Sequence, residues 1–288
     1  MQRLSDNPDI IICMDWKRSS GRLIKKAKDR GIPAILVKSE PSVVILGHSN
    51  SAIDSMFDKV IEIGRPKAEP LIKYPISWSL DFFDNAKRLD RAVAVSAHKF
   101  SFVSGELYSL RSEAYSKLDY LDLFGVGWER SFLANLLKMA RELQIALRGN
   151  VRLLSFGCFR NLRNKPLNFI GETENKLRSM SRYRVALVIE NSAEYMSEKL
   201  VDSILAGTIP VYVGPSLQSF GIPKGLVVTA EPNLVSINQS LHRALNMPHG
   251  DWHELAKCWL RGKGTKEEWD SFHVNLMILG VANLEASA

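Results

Sequence analysis

Tyr183–Pro215, with the sequence YRVALVIENSAEYMSEKLVDSILAGTIPVYVGP, decides the fold of this chain. It opens with a near-continuous apolar run at Tyr183–Ile189, which predicts a strand buried on both faces. A helix is predicted over Ser197–Ala206, ended by Gly207, and a second strand follows at Ile209–Val213. Strand, helix and strand in this order form one βαβ unit and predict a parallel sheet.

The polar turn of this unit, Glu190–Lys199, lies between the first strand and the helix. Open α/β sheets bind ligands at this edge, and the N–H groups of a helix start attract phosphate. Ser197 is the predicted N-cap, Lys199 adds a positive charge, and Glu198 can accept hydrogen bonds from a ribose. The alternative is a capped helix whose charged residues face solvent. No GxGxxG precedes it, so dinucleotide binding is not supported.

The same alternation of short apolar runs and helical stretches continues upstream. Further strands are predicted at Asp9–Met14, Pro33–Val37, Val43–Gly47, Val60–Ile63, Ala92–Ser96 and Leu121–Phe124. A proline-containing stretch poor in pattern separates the fourth from the fifth. We therefore expect two α/β domains, residues 1–88 and 89–288, with a helical tail whose final helix packs back on the first domain.

Composition limits the classes of function. The chain has 288 residues, 45% of them apolar, and a formal net charge of +7. The charge suits an anionic partner such as nucleic acid, a membrane surface or a phosphorylated small molecule, or it serves solubility alone. Basic residues are scattered rather than gathered in a tract, which argues against nucleic acid. The basic face of the predicted helix at Ser20–Arg30 would suit an anionic membrane, although a solvated face is the simpler interpretation.

Cysteine usage and hydropathy predict the compartment. Cys13, Cys158 and Cys258 lie far apart in the sequence, so neither a disulfide framework nor a zinc site is indicated. No apolar run approaches the ~18 residues of a membrane span. We expect a cytoplasmic protein, at most peripheral at the inner face of the membrane.

The motifs of Tyr183–Pro215 resemble the signature of the α1,3/4-fucosyltransferases, glycosyltransferase family 10. That pattern is close to Y-K/R-F-x-L-x-x-E-N-S/T, then Y-x-S/T-E-K-L/I, then A-G-T-x-P-V/I-x-x-G. Four residues separate ENS from SEK here, where the commonest family form has six. Looser similarity surrounds Arg111, Leu121–Trp128, Ser39-Glu40-Pro41 and Phe57-Asp58, so the resemblance runs from about residue 35 to 230.

The resemblance implies a GT-B fold, in which two Rossmann-like domains face each other across a cleft. The donor-binding residues that it implies belong to the second domain: Arg111, Glu190, Asn191, Tyr195, Glu198 and Lys199. Arg111 and Lys199 would hold a diphosphate and Glu198 a ribose, while Glu190 receives no role of its own. Glu40 would be the general base, and the alternative for Glu40 is a surface residue in a strand-to-loop turn.

The implied activity is transfer of L-fucose from GDP-fucose to an acceptor oligosaccharide or lipid-linked glycan, with inversion and an α1,3-type linkage. Because no D-x-D triplet occurs in the chain, we expect no divalent metal and no other cofactor. Nucleic acid is not an expected partner. Two alternatives stay open: a transferase that uses another GDP-sugar, and a non-catalytic nucleotide- or glycan-binding protein on the same fold.

Overall fold

Two parallel β-sheets and the helices between their strands organise the chain. The computed structural model describes residues 8–68, 72, 87–147, 157, 159, 165–262 and 278. The strands are β1 (Ile11–Met14), β2 (Ala34–Lys38), β3 (Lys59–Glu62), β4 (Leu89–Val95), β5 (Leu121–Phe124), β6 (Phe169–Gly171), β7 (Tyr183–Ile189), β8 (Ile209–Val213) and β9 (Val228–Thr229). The α-helices are α1 (Gly21–Lys28), α2 (Ser51–Asp54), α3 (Tyr108–Lys117), α4 (Phe132–Leu147), α5 (Lys176–Met180), α6 (Lys199–Leu205), α7 (Leu234–Leu245) and α8 (His249–Arg261).

The first sheet contains β1, β2 and β3 in that order, all parallel. Every residue of β2 is buried, because both faces of the strand are covered. Leu36 packs with Ile24 of α1 on one face, and Val37 packs with Ile61 on the other. The predictions of strands near residues 9–14, 33–37 and 60–63 are therefore confirmed.

The predicted strand at Val43–Gly47 is wrong. The chain turns there, because the N–H groups of Val44 and Ile45 both donate to the carbonyl of Pro41, and a 3₁₀ helix follows at Leu46–Ser49. The apolar residues of this segment do not pair with a strand of the first sheet. They pack against residues of the second α/β unit, with Val43 beside Tyr108. Apolar character without alternation does not distinguish these outcomes.

The second sheet contains six parallel strands in the order β6-β5-β4-β7-β8-β9. The strands that follow β4 first extend the sheet through β5 and β6, and the chain then returns to place β7 on the other side of β4. Such a reversal leaves a crevice beyond the carboxyl ends of the two central strands, where open sheets bind ligands. The position of the candidate site therefore follows from the strand order.

The βαβ unit predicted at Tyr183–Val213 is confirmed, with β7 paired in parallel to β8 from Val185↔Ile209 to Ile189↔Val213. Its helix begins at Lys199, two residues later than predicted, and Glu198 is the residue before it. The Ser197 hydroxyl donates to Glu190 at 2.7 Å and accepts from the Lys199 ammonium at 2.8 Å, whereas the backbone N–H of Lys199 lies 3.4 Å from it, so Ser197 is not the N-cap that the sequence predicted. β6 and α5 were not predicted, since each is too short to show a period.

The units of the two sheets contact each other through backbone and side-chain hydrogen bonds. Met196 donates its N–H to the carbonyl of Gly64 at 2.9 Å, and the Ser101 hydroxyl donates to the carbonyl of Val43 at 3.0 Å. The predicted boundary between residues 88 and 89 falls between the sheets and stays a prediction. The predicted final helix lies outside the described residues except for Ile278, which packs with Ile61 and other apolar residues of the first sheet.

Candidate active site

A cleft of about 890 Å³ opens where the carboxyl ends of strands from both sheets meet. Residues that follow β2, β4, β5, β6 and β7 line it. Six of the seven site residues predicted from the sequence are among them: Glu40, Arg111, Asn191, Tyr195, Glu198 and Lys199. The seventh, Glu190, lies behind the cleft wall with 0% of its surface exposed.

Glu190 organises the turn that follows β7. Its carboxylate accepts the backbone N–H of Ser197 at 2.9 Å and the Ser197 hydroxyl at 2.7 Å. The ammonium of Lys199 lies 3.3 Å from the same carboxylate. A buried carboxylate requires such partners, because its desolvation is costly. Glu190 therefore holds the turn closed and keeps the Lys199 charge at the cleft wall.

Arg111 links α3 to the end of β7. Its Nε and Nη2 donate to the carbonyl of Ile189 at 2.9 and 2.5 Å, and Nη2 also donates to Asn191 Oδ1 at 2.9 Å. The guanidinium lies 4.9 Å from the centre of the Tyr108 ring. Only 3% of Arg111 is exposed, so its charge acts on the cleft from a rigid, largely desolvated position.

Glu198 and Lys176 form a second charged pair on the wall of the cleft. Lys176 Nζ lies 3.3 Å from Glu198 Oε1 and also forms an ion pair with the buried carboxylate of Asp202. Burial opposes ionisation of Glu198, but Lys199 and Lys176 outweigh it and hold its pKa below the ordinary value. Glu198 is therefore an ionised acceptor at neutral pH, suited to a hydroxyl donor.

Glu40 comes from the first sheet and faces the same cleft. Its Oε2 atom is buried and has no hydrogen-bond partner among the described residues. Burial raises the pKa of Glu40, and Asp15 and Glu198 raise it further, while Lys199 and Lys99 oppose them. A carboxylate with a raised pKa is a better proton acceptor than a solvated one, which is the property that a general base requires.

Tyr195 makes a contact that its sequence position does not reveal. The side chain is 1% exposed, and its hydroxyl donates to the carbonyl of Ser39 at 2.6 Å, across from the second sheet to the first. Tyr195 thus joins the turn that carries Lys199 to the turn that carries Glu40. Its ring still contributes to the cleft wall.

Comparison with known proteins gives limited sequence similarity and a clear fold. No family model matches the chain. A 78-residue stretch, 26% of the chain, is 34% identical to a putative fucosyltransferase-like protein of Arabidopsis thaliana, and the match spans only 14% of that protein's length.

Among solved structures, Anabaena HepE in complex with UDP and glucose has a TM-score of 0.55 at 10% identity, over 94% of this chain and 77% of HepE. The apo form of the lipopolysaccharide outer core galactosyltransferase WaaB has a TM-score of 0.51 at 13% identity, over 96% of this chain and 76% of WaaB. The fold is GT-B. The GT-B fold predicted from the resemblance is therefore confirmed, with a first domain around β1–β3 and a second around β4–β9.

Sequence reasoning missed two cationic residues of the GT-B cleft, Lys99 and Lys176. Lys99 follows β4 closely, so the rule that ligands bind beyond strand ends, applied to Ala92–Ser96, would have found it. Lys176 follows β6, whose three residues show no pattern. With Arg111 and Lys199 they make four cationic side chains on the cleft wall, against the three carboxylates of Glu40, Glu174 and Glu198.

Two further properties concern only the described part of the chain. No group of three or more His, Cys, Asp or Glu side chains there is arranged to hold a metal ion. No helix there combines the length and the apolar character needed to cross a bilayer.

Proposed function

We propose that this chain is a glycosyltransferase that transfers fucose from GDP-fucose to a hydroxyl of an acceptor glycan. The proposal rests on one observation: the same cleft contains a candidate general base and cationic side chains whose positions are fixed by hydrogen bonds and an ion pair. Glu40 Oε2 is buried without a hydrogen-bond partner in the part of the chain that the structure describes, and Arg111 and Lys199 are fixed on the cleft wall by hydrogen bonds and an ion pair.

The donor side of the cleft suits a nucleoside diphosphate sugar. Its volume of about 890 Å³ lies within the range of ~300–1,000 Å³ typical of small-molecule sites. The Lys199 ammonium and the Arg111 guanidinium supply the charge-assisted hydrogen bonds that phosphate oxygens accept. Glu198, ionised beside Lys176, suits the two hydroxyls of a ribose.

The reaction that these groups support is an in-line displacement with inversion. The acceptor hydroxyl gives its proton to the Glu40 carboxylate while its oxygen forms a bond to the anomeric carbon of the donor sugar. The bond between that carbon and the diphosphate oxygen breaks, and GDP leaves with the electron pair. Arg111 and Lys199 stabilise the negative charge that develops on GDP, and we propose that no divalent metal is required.

Fucose as the transferred sugar is supported by sequence and not by fold. The signature-like turn at Glu190–Lys199 and the 34% identical stretch shared with the Arabidopsis protein favour a fucosyl donor. HepE shows that a GT-B fold of similar shape binds UDP and glucose in that protein. A donor comparison therefore decides between fucose and the alternative of another nucleotide sugar.

The test measures calorimetric binding and turnover with GDP-fucose, GDP-mannose and UDP-glucose in wild type, Lys199→Ala and Arg111→Ala. We expect GDP-fucose to bind and turn over, and each variant to lose on the order of a hundredfold in rate. Lys117→Ala is the control, because the Lys117 side chain is 55% exposed and pairs with Glu113 on its own helix, α3. Unchanged GDP affinity in both cleft variants would refute the donor site, and binding without turnover across an acceptor screen would favour the non-catalytic alternative.

A further inference from the structure

The Ser39–Glu40 turn is held first by a carboxylate of its own domain. Asp15 Oδ1 accepts the backbone N–H of Ser39 at 2.7 Å and that of Glu40 at 3.3 Å. Asp15 Oδ2 accepts the Ser39 hydroxyl at 2.5 Å. The Asp15 side chain therefore accepts three hydrogen bonds from Ser39 and Glu40, the second of which is the candidate base.

The backbone of Asp15 is in an unusual conformation. It follows β1 with φ +56°, in the left-handed region that costs energy for residues other than glycine and is tolerated best by Asp and Asn. Its N–H donates to the carbonyl of Val37 at 2.8 Å. The strained residue thus directs its carboxylate from the end of β1 toward the turn that follows β2, the neighbouring strand.

His48 binds the next peptide group along the chain, the one between Glu40 and Pro41. Its Nε2 accepts the N–H of Trp16 at 3.2 Å, so the ring proton is on Nδ1, which donates to the carbonyl of Glu40 at 2.7 Å. Burial lowers the pKa of His48, which keeps this neutral form at neutral pH. The two peptide groups on either side of the Glu40 Cα atom are therefore held by the side chains of Asp15 and His48.

Tyr195 of the second domain adds a further contact to the Ser39–Glu40 turn. Its hydroxyl donates to the carbonyl of Ser39 at 2.6 Å, and the next residue, Met196, donates its N–H to Gly64 at 2.9 Å. Because no described residue forms a hydrogen bond to Glu40 Oε2, the direction of the carboxylate depends on how the Glu40 backbone is held.

We propose that Asp15 and Tyr195 are positioning residues for Glu40, one acting from each domain on the Ser39–Glu40 turn. The inference rests on the proposed role of Glu40 as the base. Tyr195 also connects Glu40 to the donor side of the cleft, because Tyr195 and Lys199 belong to the same turn.

Asp15 also affects the charge state of Glu40. Burial, Asp15 and Glu198 raise the pKa of Glu40, Lys199 and Lys99 lower it, and Tyr108 also interacts electrostatically with the Glu40 carboxylate. Asp15→Asn removes one of the raising charges. It keeps a residue type that tolerates φ +56° but leaves only one side-chain oxygen to accept from the turn, so it lowers the pKa of Glu40 and also weakens the hold on Ser39.

The experiment compares Asp15→Asn and Tyr195→Phe with two matched controls. Asp58→Asn changes an aspartate that also accepts a backbone N–H, from Ala34, at the opposite end of the first sheet. Tyr120→Phe removes a hydroxyl bonded to Asn238, just before β5 and away from the cleft. We expect kcat to fall about tenfold in each test variant, with donor affinity retained and controls near wild type. Loss of donor affinity equal to the loss of kcat, or equal losses in the controls, would overturn the inference.

A second measurement separates this inference from the proposed function. The Glu40 carboxyl is followed by ¹³C NMR, and its resonance is identified by its absence in Glu40→Gln. In Asp15→Asn the midpoint of its titration, and the acid limb of kcat/KM where turnover is present, should move to lower pH, whereas Asp58→Asn moves neither. An inactive wild type would refute the transferase proposal alone, while an unmoved Glu40 midpoint in Asp15→Asn would refute the positioning role.

Discussion

The ammonium of Lys199 lies 3.3 Å from the carboxylate of Glu190, a side chain with no solvent exposure. The pair gives Lys199 two tasks, since it compensates a buried charge and presents its own charge to the cleft. Ser197 completes the arrangement with two hydrogen bonds to the same carboxylate. Loss of Lys199 should therefore affect folding and nucleotide binding, and the two effects can be separated.

Lys199→Met should destabilise the protein by about 1–3 kcal/mol, because it leaves the buried Glu190 carboxylate short of a partner. The double variant Glu190→Gln/Lys199→Met should recover most of that stability, since glutamine can still bond to Ser197. It should not recover GDP affinity. Urea unfolding and calorimetry check the two quantities, and a double variant that regains affinity would contradict a direct role of Lys199 in binding phosphate.

Glu40→Gln should abolish most of the turnover, by roughly 10²–10⁴-fold, and should stabilise the fold at neutral pH. The pKa of Glu40 is raised above its ordinary value of 4.5, so the native state binds this proton more tightly than the unfolded chain. Wild-type stability contributed by the protonated form is then lost as pH rises from about 4.5 through the raised pKa.

Melting temperatures at pH 4 and pH 7.5 test this sign. The advantage of Glu40→Gln over wild type should be larger at pH 7.5, by about 2 °C for ~1 kcal/mol in a protein of this size. Glu113→Gln is the control, because the Glu113 side chain is 40% exposed and pairs with Lys117. An advantage that does not change with pH would be inconsistent with a raised pKa.

Gly64→Ala and Gly31→Ala should both lose stability because alanine disfavours the left-handed backbone conformation, but the two glycines have different surroundings. Both glycines have φ +70°, but a Cβ at Gly31 would have no atom of the described residues within 4 Å, whereas at Gly64 it would lie 2.3 Å from the carbonyl oxygen of Met196. Gly31→Ala should cost about 1–2 kcal/mol and leave turnover unchanged. Gly64→Ala should cost more and lower kcat, because it displaces the turn that carries Tyr195. Equal unfolding free energies for the two variants would count against this contact.

Arg111→Lys should lower GDP affinity about tenfold and stability by ~1–2 kcal/mol, although the charge is kept. One ammonium cannot reproduce the fork that binds both the Ile189 carbonyl and Asn191 Oδ1. Arg184→Lys is the matched control, since Arg184 binds Asp90 and the Met247 carbonyl near the amino end of β7. The control should lose stability without losing affinity; a similar loss of affinity in both would show that the effect is general.

Much of the fold was predictable, because an uninterrupted run of apolar residues indicates a buried strand without any knowledge of distant contacts. β7 and β8 are buried almost throughout, and their sequences are apolar almost throughout. The exceptions have physical reasons. Val43–Gly47 is equally apolar but packs between domains, and β6 is too short to carry a signal. Six of the seven predicted site residues line one cleft. Four of them follow β7, at a sheet edge where ligands bind, whereas Arg111 comes from α3 and Glu40 from the turn after β2 of the other sheet.

The amino-acid sequence by itself determined the βαβ unit, the polar turn at its centre and the residue types available there, because these depend on neighbours along the chain. Only the tertiary structure decided the contacts and the role of each side chain. Glu190 is enclosed behind the wall, and Tyr195 bonds to Ser39, 156 residues away. Burial, partner and pKa are set by whatever packs from distant segments, and no local pattern of residues encodes those contacts.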